Sequence, residues 1–377
     1  MKQLFSMAKS LHIIAFDMPY PADYGGVIDI YYKIKALSEL GVQVKLHVFL
    51  YGGKTTSKHL EALCQKVFYY ERKRFKNPFT GDLPYIVATR DDEQLLSNLC
   101  KDDAPILFEG LHSTAFLTSP KLTNRFKIVR THNVEHDYYQ YLEDAESSFF
   151  KKYFFRIESE RLRKYEGILS TANLIMPISP RDTAYYQSKF KNVQYLPAFH
   201  ASDMVKPQTG RGDFVLYHGN LGVGENNKAA LYLIHEVFPS LNMPCVIAGN
   251  QPTRQLQVAA ESLAHVTLMS GISSNEILHK VQQAHVNLLV TFQPTGIKLK
   301  LLNALHQGRF CVANSAMVAE TGLESLCRVG NDPAELADAV QKCWSIDFSD
   351  DERISRKHFL DRDFSNSANA SLIASFL

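Results

Sequence analysis

Phe214-Val215-Leu216-Tyr217-His218-Gly219, followed through Gly222 and Gly224 by a helical stretch from about Asn227 to Phe238, decides how this chain is read. An apolar run that ends in glycine and feeds a helix is one unit of a parallel sheet. The pattern repeats downstream. Val246-Ile247-Ala248-Gly249 and Val286-Asn287-Leu288-Leu289-Val290 read as strands, and the second precedes Gly296 and a helix from about Lys298 to His306, closed by Gly308. It is also present upstream: Leu11 to Phe16 reads as a buried strand, Pro19 to Gly26 as a loop, Val27 to Leu40 as an apolar-periodic helix stopped by Gly41, and Val42 to Tyr51 as the next strand. Ile106-Leu107-Phe108, Phe126 to Val129 and Leu174 to Ile178 continue that first sheet.

Two runs of alternating strand and helix predict an α/β protein with two doubly wound, Rossmann-like domains. The segment from Leu196 to Gly212, with Pro197, Pro207, Gly210 and Gly212, is the linker candidate. The 377 residues suffice for two cores, and 45% hydrophobic with 21% charged residues is ordinary globular usage, which excludes disordered and fibrous classes. A formal net charge of +2 provides no strong field for nucleic acid. Cys64, Cys100, Cys245, Cys311, Cys327 and Cys343 are scattered singly, without the paired spacing of a metal site or disulfide framework. No apolar run approaches the ~20 residues of a membrane span. The expectation is a cytoplasmic protein with no metal and no bound cofactor.

In an open parallel sheet, ligands lie beyond the carboxyl ends of the strands, where helix N-termini leave backbone N–H groups unpaired. Three strand ends of the second half qualify: Gly219 to Asn227, Gly249-Asn250, and Thr295-Gly296-Ile297-Lys298-Leu299-Lys300. Glycines that admit a close backbone approach, with lysines one turn into a helix, suit a diphosphate. Plain turn chemistry produces the same glycines, so each loop alone is a weak signal.

Several motifs, in order, resemble those of GT-B glycosyltransferases, especially the large retaining family 4. These are Pro19 with Tyr24-Gly25-Gly26 before an amphipathic helix, Thr131-His132-Asn133 with Glu135 after a strand, Gly271-Ile272-Ser273 with Glu276-Ile277-Leu278, and Gly296 with Lys298, Lys300, Asn303 and Gly308. The resemblance implies an acceptor-binding domain over residues 1–198, a nucleotide-sugar-binding domain over 199–358, a cleft between them, and a last helix, within 359–377, that packs back on the first domain. It implies transfer of a hexosyl unit from a nucleoside diphosphate sugar to a glycan or lipid-linked acceptor, without an Asp-x-Asp metal site. His132 would contact the transferring sugar and Lys300 the leaving diphosphate. Gly25, Gly26, Gly219, Asn220, Lys228, Gly249, Thr295, Gly296, Ile297, Lys298 and Asn303 would line the donor site.

The departures are specific. Where the family carries a Glu-x7-Glu pair, this chain has Thr295 and Asn303, and Asn220 replaces a frequent arginine. An inactive, binding or scaffolding relative therefore stands beside the enzyme, and a nucleotide-sugar epimerase of the same outline is a third reading. His132 is otherwise a satisfied strand-end histidine, Glu109 a solvated loop carboxylate, and Gly25-Gly26 a helix-entry turn. Phe149, Phe150, Tyr153, Phe154 and Ile157 recur at helical spacing among Lys151, Lys152 and Arg156. Such a stripe ordinarily faces a core; the other reading is a helix lying on a membrane surface, at its inner face. The run Arg72 to Lys76 is a solvated loop or a contact for an anionic lipid-linked acceptor.

Overall fold

The computed structural model describes residues 9–22, 25–73, 81–146, 148–202, 205–292, 299–319 and 321–377. It divides into two compact units: Met1–Phe199 with Phe364–Leu377, and His200–Asp363. The basic run beyond Lys73 and the loop 293–298 lie outside the described residues.

The first unit is built on six parallel strands, β1 (Ser10–Ala15), β2 (Gln43–Leu50), β3 (Lys66–Glu71), β4 (Ile106–Glu109), β5 (Lys127–Thr131) and β6 (Leu174–Pro177), in the order β3-β2-β1-β4-β5-β6. Alternate residues of β1 enter two cores. Leu11, Ile13 and Ala15 pack with Ile30, Ile34 and Leu37 of the Gly25–Glu39 helix, and Ile14 packs on the other side with Phe49, Phe108 and Val129. A sheet covered on both faces needs such continuous apolar strands. Gly41, at φ 79°, ends the helix, and the Val42 amide bonds back to the Leu37 carbonyl at 3.0 Å. The last helix, Asn366–Ala374, is capped by Ser365 and seats Ala370 and Ile373 in the same core as Ile30 and Ile34.

The second unit repeats the architecture with β7 (Val215–His218), β8 (Cys245–Ala248), β9 (Val266–Met269), β10 (Val286–Leu289), β11 (Phe310–Ala313) and β12 (Arg328–Val329), in the order β12-β11-β10-β7-β8-β9, all parallel. Numbered from its own first strand, each unit has the order 3-2-1-4-5-6. Strand order reverses between β1 and β4 in one unit and between β7 and β10 in the other, and a ligand crevice opens beyond the carboxyl ends at such a point.

Two boundaries and one buried face differ from the sequence reading. Gly25 and Gly26 are the first two residues of a helix, not the end of a loop. The helix after β7 begins at Gly224, three residues earlier than expected, which shortens the glycine loop to Gly219–Val223. The stripe from Phe149 belongs to the Phe149–Tyr165 helix, but that helix turns Glu158, Ser159 and Leu162 inward and leaves Phe149 and Phe150 78% and 82% exposed. The core reading of the stripe therefore fails for Phe149, Phe150 and Tyr153, while Phe154 and Ile157 are half-buried.

Candidate functional site

In the second unit the carboxyl ends of β7, β8 and β10 meet a compact polar cluster. Gly219 follows β7, and its carbonyl lies so near Gly249 that a Cβ added at Gly249 would meet this oxygen at 1.8 Å. Glycine at 249 is thus required by the approach of two backbones. Asn220 turns its side chain into its own loop, where Oδ1 accepts from the Gly222 amide at 3.1 Å, and its carbonyl accepts from Asn226 Nδ2 at 3.0 Å. Lys300, in the first turn of the Leu299–Gln307 helix, donates to Asn226 Oδ1 at 3.1 Å and lies over the Tyr217 ring, 5.1 Å from its centre. Lys300, Asn226 and the Gly219–Asn220 turn are therefore one linked set.

The other expected residues are distributed differently. Lys228 is exposed and covers the Phe292 ring at 4.9 Å. Asn303 lies one turn beyond Lys300 and accepts from Ser202 Oγ at 3.5 Å. Thr295, Gly296, Ile297 and Lys298 lie outside the described residues. His218, which the sequence reading passed over, ends β7 with 5% exposure, and its Nε2 has no hydrogen-bond partner among the described residues. Burial, with Lys300 adding, holds its pKa down to about 3. It is a neutral imidazole beside the cluster. Its position before Gly219 at a strand end was the only signal available.

In the first unit His132 follows β5 with 8% exposure. Its Nε2 is 2.9 Å from Glu109 Oε2, which leaves Nδ1 as the ring nitrogen not engaged by that carboxylate. Glu109 is not a solvated loop group: it ends β4, is fully buried, and accepts from Lys33 Nζ at 2.6 Å. Lys33 also donates to Asp29 Oδ2 at 2.8 Å, one helical turn back. Arg130 forks onto Asp29 at 2.9 and 3.2 Å. Burial alone would raise both carboxyls. For Asp29, Arg130 and then Lys33 outweigh it and hold the group far below the usual range; for Glu109, Lys33 and the His132 hydrogen bond do so.

Asp29, Glu109 and His132 bring three potential ligand atoms within 4.8 Å of one another. Lys33 and Arg130 already balance the two carboxylates, so a further cation would meet positive charge instead of an uncompensated anion. The cluster fits a charge-neutral scaffold that orients His132.

Phe16, just past β1, lies between two histidines, with ring centres 5.4 Å from His132 and 4.9 Å from His112. His112 Nδ1 and Glu135 Oε1 are 3.9 Å apart, and neither has a hydrogen-bond partner among the described residues. Burial, with Asp182 adding, pushes the Glu135 carboxyl from 4.5 up to about 8. Between these values the unfolded chain releases a proton that the folded chain keeps, so stability falls as pH rises through that window. Glu135→Gln, which mimics the neutral acid, is expected to match the wild type near pH 4 and to gain about 4 kcal/mol near pH 8. Thermal melts at both pH values check this. A variant no more stable than the wild type near pH 8 would mean that Glu135 is ionised in the folded protein.

Residues 212–345, which contain the Lys300 cluster, match the family described as "Glycosyl transferases group 1". An uncharacterized 44.6 kDa protein in the cps region of Klebsiella pneumoniae is 26% identical over 337 residues, covering 84% of this chain and 85% of that one. Among solved structures, sucrose-phosphate synthase from Thermosynechococcus elongatus superposes with a TM-score of 0.71 at 15% identity, over 98% of each chain. WaaG, a glycosyltransferase involved in lipopolysaccharide biosynthesis, does so at 0.62 and 12% identity, over 97% of this chain and 99% of that one. The fold is therefore the α/β GT-B fold, and residues 212–345 are similar to a glycosyltransferase domain.

Proposed function

We propose that this chain is a glycosyltransferase that moves a hexosyl unit from a nucleoside diphosphate sugar to an acceptor hydroxyl, in the synthesis of a cell-surface polysaccharide or glycoconjugate. The observation that carries the reading is the Lys300–Asn226–Gly219 cluster at the β7/β10 reversal, inside the segment that matches the glycosyltransferase family. In the proposed step the bond from the anomeric carbon to the diphosphate oxygen breaks and its electrons leave with the diphosphate. The acceptor oxygen bonds to that carbon, and its proton departs with the leaving group. Lys300 and the amides around Gly219 stabilise the charge that develops. The sugar nucleotide is a co-substrate, so no resident cofactor is invoked.

The finer assignments follow the sequence resemblance: retention of configuration, donor contacts from Gly219, Asn220, Lys228, Thr295, Gly296, Ile297, Lys298 and Asn303, and a glycan or lipid-linked acceptor. Neutral Asn303, already within reach of Ser202, keeps a non-catalytic binding protein as the second reading.

Lys300→Ala is expected to weaken binding of a nucleoside diphosphate roughly ten- to a hundredfold, the worth of a charge-assisted hydrogen bond. Asn303→Ala should cost less. Calorimetry with UDP, GDP, ADP and dTDP tests both. Affinity unchanged in a folded Lys300→Ala variant would remove the donor-site assignment. Binding without turnover of any donor, across an acceptor panel, would favour the binding protein.

A further inference from the structure

The Phe149–Tyr165 helix carries a surface that glycosyl transfer leaves unused. Phe149 and Phe150 are the most exposed large apolar side chains among the described residues, at 78% and 82%, and Tyr153 is 53% exposed. Exposing two adjacent phenylalanines to water is unfavourable unless something else covers them. The helix that carries them is basic, although Glu143, Asp144 and Glu146 precede it and Glu146 pairs with Lys151 at 3.5 Å. The helix contains Lys151, Lys152, Arg156, Arg161, Arg163 and Lys164 against Glu158 and Glu160, and Glu158 is buried, with its carboxylate bonded to the Tyr85 amide and Arg161. The whole chain carries only +2.

At 100° per residue, Phe149, Tyr153, Arg156, Arg163 and Lys164 fall on one side of this helix, opposite buried Leu162, with Glu160 the one acid among these three cations. Arg156, Arg163 and Lys164 also line a groove of about 340 Å³ with residues of the Glu135–Ala145 helix, Gln140 and Glu143 among them. Aromatic side chains at one end and cations along the same face are the chemistry of a helix lying in the headgroup plane of an anionic bilayer. No helix of the described residues is long and apolar enough to cross a membrane, so contact through this face would be peripheral.

We propose that the outward face of the Phe149–Tyr165 helix docks on an anionic bilayer, with Phe149 and Phe150 entering the acyl boundary and Arg156, Arg163 and Lys164 meeting lipid phosphates. Charge complementarity selects the occupant: a neutral apolar partner would leave these cations unused. The inference stands on the helix alone and does not depend on the glycosyltransferase reading.

Co-sedimentation of the full chain with phosphatidylcholine vesicles, with and without phosphatidylglycerol, tests it. Binding is expected only with phosphatidylglycerol and should weaken as salt rises. Phe149→Ser/Phe150→Ser should lower the partition coefficient roughly tenfold or more, and Arg156→Glu/Lys164→Glu should lower it comparably. These side chains are exposed, so melting temperatures should not change. Absence of binding to either vesicle, or binding indifferent to both double variants, overturns the proposal. It is also overturned if Phe149→Ser/Phe150→Ser converts a dimer to a monomer in light scattering without changing vesicle binding, since the face would then join two copies.

Discussion

Replacing Lys33 with methionine is expected to cost about 3 to 5 kcal/mol of stability at neutral pH, the scale of breaking a buried ion pair by removing one partner. Lys33 is fully buried and touches two fully buried carboxylates, Asp29 at 2.8 Å and Glu109 at 2.6 Å. Methionine fills similar space but leaves Arg130 as the remaining cation against two acids. Glu109 would then lose the interaction that does most to keep it ionised. Protonation offers the variant an escape, so its deficit should shrink as pH falls toward about 5. Lys33→Met/Glu109→Gln should recover part of the loss at neutral pH, because the second carboxylate no longer needs a cation. Denaturant titrations of the three proteins at two pH values check this. A deficit that is the same at both, and is not relieved by Glu109→Gln, would mean that Lys33 acts through packing alone.

This cluster also marks where the sequence ceased to be legible. Strands β1, β2, β4, β5, β6, β7, β8 and β10 were readable because parallel strands buried on both faces are rich in apolar residues. Strand β3 (Lys66–Glu71), strand β9 (Val266–Met269) and the two-residue strand β12 were not. They are edge strands, half-covered or exposed, so their composition carries little of that signal. Strand β11 was hidden because Gly308 read only as a helix stop, and Phe310 to Ala313 is too short a run to stand out.

The charged residues failed for a different reason. Asp29 and Lys33 are one turn apart, a spacing normal for a solvated pair. Only their place on the same side as Ile30 and Leu37 hinted that both point into the sheet. Glu109 looked solvated because its partners, Lys33 and His132, are 76 and 23 residues away in the chain. The Phe149 stripe misled in the opposite sense: helical periodicity records that a helix has two unlike faces, not which of them is covered. Here Glu158, Ser159 and Leu162 are covered, whereas Phe149 and Phe150 are not.

His132→Ala is expected to lower kcat roughly a hundredfold or more while changing donor affinity little. A histidine that contacts the transferring sugar must present one nitrogen in a fixed direction, and the 2.9 Å contact from Nε2 to Glu109 provides that constraint. Glu109 can do so only while ionised, which Lys33 enforces. The nucleotide is assigned to the other unit, around Lys300, so the substitution should leave calorimetric binding of the diphosphate intact. Glu109→Gln supplies the intermediate case. Its amide can still meet the ring, without the charge that favours a single orientation, and it should lower kcat less than His132→Ala does. Thermal melts of both variants separate chemistry from folding. If His132→Ala reduces kcat only in proportion to the folded fraction, His132 is a packed strand-end residue. If it weakens diphosphate binding as much as turnover, the division of labour between the two units is wrong.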